Sequence, residues 1–220
     1  MTLSLPSFTR CALAAVAFTA LSPLAHADVI VDAANDFLST FAGSTSSTDL
    51  DVIGASVTYD AGHDIFTLSG TMNGAIGTTA SGFYVWGVNR GAGVASFAAN
   101  GLPNILFDRV VLLRPDGTGN IGGGAALPPG AITITGNTIS AVVSGSLLPS
   151  TGFANPLDYT WNLWPRDSRF AGFAAISDFA PDNVNFKTAA IPEPSTYALL
   201  LAGLGVVGGV ARRRAAAACG

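Results

Sequence analysis

Apolar and polar positions through the middle of the chain alternate with a period of two. Ala55, Val57 and Tyr59 alternate with Gly54, Ser56 and Thr58, and Phe66, Leu68, Gly70 and Met72 alternate with Thr67, Ser69 and Thr71. Successive side chains of a strand point to opposite faces, so both segments read as strands with one buried face. Asp60-Ala61-Gly62-His63-Asp64 lies between them with turn chemistry, which predicts a hairpin. A second hairpin is predicted at Gly136-Asn137, entered by Ile132 and Ile134 and left by Ile139, Ala141 and Val143. Further strands are expected at 29–32, 83–89, 105–114, 158–164 and 170–176, with a last edge strand after Ile176. One short helix is expected at 33–41. Eight or nine short strands, with 21 glycines between residues 28 and 191, predict an all-β fold. The expectation is a single β-sandwich, jelly-roll or Ig-like, over residues 28–186. No repeat of 20–50 residues is visible, which argues against a solenoid.

The two ends follow a different pattern. Arg10 precedes an apolar run at 11–21, Ser22 and Pro23 break it, and Ala25-His26-Ala27 places small residues before Asp28. That is the layout of a secretory signal peptide over residues 1–27, cut by signal peptidase with Ala25 and Ala27 at the −3 and −1 positions. The run falls short of the roughly 20 residues needed to span a bilayer. At the other end, a linker at 187–191 leads to Pro192-Glu193-Pro194, an apolar run at 196–211, and Arg212, Arg213 and Arg214. As a helix the run reaches about 24 Å, a short transmembrane helix, with the arginines and a tail at 215–220 on the cytoplasmic side. Gly203, Gly205, Gly208 and Gly209 would let another helix approach closely.

Composition supports this division. Charged residues make up 11% of the chain against roughly 25% in an average globular protein, and hydrophobic residues 49%. Between Asp28 and Ile191 there are 13 Asp, no Glu, five Arg and one Lys, a balance of −7. So acidic a body, without a basic patch, argues against nucleic acid as a partner. The two cysteines, Cys11 and Cys219, lie in the end segments, so the body is expected to depend on its core and not on disulfides.

The order Pro192-Glu193-Pro194, apolar helix, Arg212 to Arg214 resembles the PEP-CTERM sorting signal of exported proteins in Gram-negative bacteria. Residues 192–214 carry the resemblance, and the central domain is not recognised. The resemblance implies an exosortase-type processing protease as partner. It implies a precursor anchored in the inner membrane through its C-terminal helix, then delivery to the outer surface or extracellular matrix of a producer of exopolysaccharide. The Ala-Ala-Ala-Ala-Cys-Gly that follows the arginines departs from the pattern and would be discarded with the helix.

The body offers few catalytic groups. His63, its one histidine, sits in a predicted turn, and no nucleophile elbow, Walker loop or dinucleotide fingerprint accompanies it. One His and no Cys cannot build a zinc site. No cofactor is expected, with calcium as the one candidate, because Asp is a hard oxygen ligand. Four clusters qualify: Asp49/Asp51, Asp60/Asp64, Asp116 with Thr118 and Asn120, and Asp178/Asp182 with Asn183; the third and fourth are the leading candidates. Pro115-Asp116-Gly117 is also a plain turn sequence. Tyr84, Trp86, Trp161 and Trp164 are candidate glycan-stacking rings, with core packing as the competing fate. Arg90, Arg166 and Arg169 could meet acidic sugars or pair with Asp. The expected function is a non-enzymatic surface or matrix protein associated with exopolysaccharide or biofilm. The alternatives are a secreted polysaccharide hydrolase using an Asp pair and a passive coat protein.

Overall fold

Eleven strands and one helix are described in a computed structural model covering residues 29–191 and 194–218. The expected signal peptide, with Ala25, Ala27 and Asp28, and Pro192 and Glu193 of the sorting motif lie outside the described residues. The strands are β1 (Ile30–Val31), β2 (Val52–Asp60), β3 (Ile65–Met72), β4 (Gly82–Asn89), β5 (Arg109–Leu113) and β6 (Gly119–Ile121). They continue as β7 (Ile132–Thr135), β8 (Thr138–Ser144), β9 (Thr160–Asp167), β10 (Phe186–Lys187) and β11 (Ala189–Ala190). One sheet has the order β1-β2-β3-β8-β7, with β11 beside β2; the other has the order β10-β9-β4-β5-β6. All pairings are antiparallel except the short one between β11 and β2.

Both predicted hairpins are present. Asp60 pairs with Ile65 across the first turn, and Thr135 with Thr138 across Gly136-Asn137. Gly136 has φ +60°, a conformation that glycine adopts without strain. The period-two reading holds in detail: Val57, Phe66, Leu68, Ile139, Ala141 and Val143 are all buried in one core. Rings from the two sheets meet there, with Phe66 of β3 edge-on to Trp161 of β9 at 5.5 Å. At Gly70 the sheets come so close that an added Cβ would stand 2.7 Å from the Leu163 side chain.

Two local expectations fail. Residues 33–41 form turns and not a helix, because Asn35 takes φ +66° and breaks any helical run. Residues 170–176 form turns and a short 3-10 segment, with only Ile176 bridging back to Arg166. The expected last edge strand is split in two. Phe186 and Lys187 extend the second sheet, while Ala189 and Ala190 join the first, so the chain crosses between sheets at Thr188.

The described residues of the body, 29–191, belong to one compact unit. The helix α1 (Pro194–Ala218) belongs to a separate unit and runs through the arginines. Leu200, Leu201, Leu204, Val206, Val207 and Val210 are exposed on it. Among the described residues no helix is long and apolar enough to cross a membrane, so the span expected at 196–211 is seen as a helix only.

Candidate metal centre

Three chain segments far apart in sequence bring aspartates to one end of the body. Asp32 and Asp36 come from the turns after β1, Asp51 from the residue before β2, and Asp178 and Asp182 from the loop between β9 and β10. Backbone hydrogen bonds hold the segments in place: Asp32 N–H donates to Ile53 O, and Leu38 N–H donates to Ser177 O. The Ser177 hydroxyl donates to Leu50 O at 2.6 Å, tying the third segment to the second.

One carboxylate oxygen from each of Asp32, Asp36 and Asp182 lies within 4.8 Å of the others, and the same holds for Asp36, Asp51 and Asp178. Asp36 is shared by the two triads. Asp51 and Asp178 are 0% and 1% exposed. The Oδ2 of Asp51 accepts from Asn35 N–H and Asn73 Nδ2, both at 2.8 Å, while its Oδ1 has no donor. Asp178 accepts from Val52 N–H at 2.9 Å and Phe179 N–H at 2.6 Å. Among the described residues six buried side-chain polar atoms lack a partner. Three of the six are carboxylate oxygens of this centre, on Asp32, Asp36 and Asp51. A native fold leaves few such atoms, so their concentration at one place needs a cause.

Electrostatics follow from that geometry. Burial, then the charges of Asp36 and Asp182, pushes the Asp32 carboxyl up to about 7. Burial also raises Asp36, with Asp182 and Asp51 adding to it. Asp178 is pushed up to about 8, again chiefly by burial; the N–H groups of Val52 and Phe179 oppose the shift, and Asp36 and Asp32 reinforce it. Like charges out of water favour the neutral form unless a cation joins them.

The other acidic clusters are spent on loop structure. Asp116 Oδ1 accepts from Thr118 N–H at 2.9 Å and from its hydroxyl at 2.7 Å, an ordinary Asx turn. Asn120 accepts from Arg114 and donates to Ile121 O. Asp116 and Thr118 thus build that turn and Asn120 lies in β6, and among the described residues none of the three joins an acidic group of three. Asp49 accepts from Thr79 N–H and its hydroxyl, Asp60 caps its hairpin turn, and Asp64 accepts from Tyr59. Of the leading metal candidates, Asp178 and Asp182 do converge. Asp32 and Asp36 had been placed in a strand and a helix.

The stacking candidates divide between the two faces of the second sheet. Tyr84, Trp86 and Trp161 are 0% exposed in the core between the sheets, so they present no face to a sugar. Trp164 points the other way and forms the 2% exposed floor of a depression of about 550 Å³ on the second sheet. Half-buried Phe83, Phe97, Phe107 and Phe170 line its walls, with Arg166 at its edge. Arg90 projects inward, not out: Nε donates to Asp108 at 2.8 Å and Nη1 to Pro149 O at 2.8 Å. Arg169 pairs with Asp167.

Compared with curated proteins and with solved structures, the chain finds a match in neither. A family model, that of the PEP-CTERM protein-sorting motif, matches residues 190–215. Pro192, Glu193, Pro194 and the arginines Arg212 to Arg214 all fall inside that match. That match shows the sorting motif, which implies processing by an exosortase, and it does not extend to the body.

Proposed function

We propose that the body is a non-enzymatic β-sandwich module displayed on the outer surface or in the extracellular matrix, where it associates with exopolysaccharide. The observation that carries this reading is the sorting motif at residues 190–215. An exosortase substrate leaves the cytoplasm, and an acidic body with few cations suits a hydrated, exposed setting. The helix α1 would hold the precursor at the inner membrane, its short apolar run assisted by Arg212 to Arg214 at the cytoplasmic face.

Two features favour binding over catalysis. The acid most inclined to carry a proton, Asp178, is sealed from solvent and bonded to two backbone amides, so no polymer reaches it. The depression over Trp164, by contrast, is open, aromatic and edged by Arg166, and it is the surface that we assign to polymer contact.

Co-sedimentation of the exported protein with its producer's exopolysaccharide tests the reading. Retention without shortening of the polymer is expected. Shortening would replace it with a hydrolase, and neither retention nor shortening would leave a passive coat protein. The intact mass of the exported form tests the sorting step separately: residues beyond the Pro-Glu-Pro motif should be missing.

A further inference from the structure

We infer that Asp32, Asp36, Asp51, Asp178 and Asp182 form a calcium centre that fastens the segment after β1 to both sheets. The centre stands whether or not the body binds exopolysaccharide. Two oxygens on opposite sides of a calcium ion, each about 2.4 Å from it, stand about 4.8 Å apart. That is the limit within which each triad of carboxylate oxygens falls.

Burial adds an independent reason. Asp51 is wholly enclosed, and one of its oxygens has no donor. Asp32 and Asp36 each have a buried oxygen in the same condition. Among the described residues the ion pairs are His63–Asp60, Arg90–Asp108 and Arg169–Asp167, so no side-chain cation neutralises any of the five. A buried, unpaired carboxylate is costly, and a bound cation supplies both the missing charge and the missing partner.

The donor set selects the metal. Five carboxylates with no imidazole or thiolate suit a hard cation and not zinc. Ligands drawn from three separate loops suit the loose, high coordination of calcium better than the strict octahedron of magnesium. Asn35, in its left-handed conformation, donates its N–H to Asp51 and so sets the turn that presents Asp32 and Asp36. The centre thereby joins residues 32, 51 and 182, and calcium binding becomes part of folding.

The test is calorimetric titration of the full chain with calcium chloride after chelation, paired with thermal unfolding. Saturable heat is expected, with a rise in melting temperature of about 5–10 °C once calcium exceeds its dissociation constant by about 100-fold. D36N, which alters the carboxylate common to both triads, should lose most of that rise, whereas D116N should keep it. In chelator D36N should melt no lower than wild type, since it removes like charge, and this separates lost binding from misfolding. Absence of heat and of any shift up to about 10 mM calcium, roughly tenfold above the dissociation constant of the weakest extracellular sites, would overturn the proposal. So would a full response in D36N, and an equal response to magnesium would overturn the choice of metal.

Discussion

The two ends of the body place aspartate in opposite circumstances. At one end, Asp108 accepts from Arg90 Nε at 2.8 Å, from Ala92 N–H at 3.2 Å and from the Thr151 hydroxyl. Those donors hold its carboxyl below the usual range against the opposing effect of burial. At the other end, Asp32, Asp36 and Asp51 keep oxygens without donors, and Asp32 and Asp178 are raised instead. Both ends bury acids, so burial alone does not separate them. The difference is whether the chain supplies the positive partner. Where it supplies Arg90 the site is complete; where it supplies only further acids, completion has to come from solution.

The largest effect should come from breaking the complete end. R90A would leave Asp108 and the Pro149 carbonyl without their buried donor. Loss of one member of a buried pair costs about 3–5 kcal/mol, readable as a fall in the urea midpoint at unchanged slope. Calcium should not restore it, because the other end is untouched.

Next comes the pH response in chelator. Asp32 at about 7 and Asp178 at about 8 lie above the roughly 3.9 of an unfolded Asp. A raised folded value means stability present at low pH and lost as pH rises through the folded value. Chelated protein should therefore melt lower at pH 8.5 than at pH 5.5, and saturating calcium should abolish or reverse that trend. A melting temperature that rises with pH in chelator would contradict the unpaired picture.

The smallest effect belongs to the pair in which buried Asp167 meets an exposed arginine. Asp167 is held at about 2, first by its hydrogen bond to Arg169, but Arg169 is largely in water. A lowered folded value gives stability present above about 4 and lost as pH falls towards 2. R169A should cost less than about 1 kcal/mol at neutral pH and move acid unfolding to slightly higher pH.

What could be read from sequence divides along the same line. Most strand positions, both hairpins and the buried faces of β2, β3 and β8 were legible, because a period of two is local information. The sorting motif was legible because its parts are contiguous. The acidic centre was legible only in part, at Asp51, Asp178 and Asp182, because its members are separated by up to 150 positions and nothing in 32–36 announces convergence with 178–182. Asp32-x-x-Asn35-Asp36 carried one usable signal: asparagine tolerates the left-handed conformation, which weighs against the expected helix. The aromatic residues failed for another reason. Alternation correctly put Tyr84 and Trp86 on one face, and Trp164 opposite Trp161, but it does not say which face is covered.

Native mass spectrometry of the protein recovered from the cell surface without chelator tests the central claim most directly. The account predicts a species carrying calcium, lost on chelation and missing in D36N but retained in D116N. A metal-free protein that stays metal-free when millimolar calcium is added would contradict it.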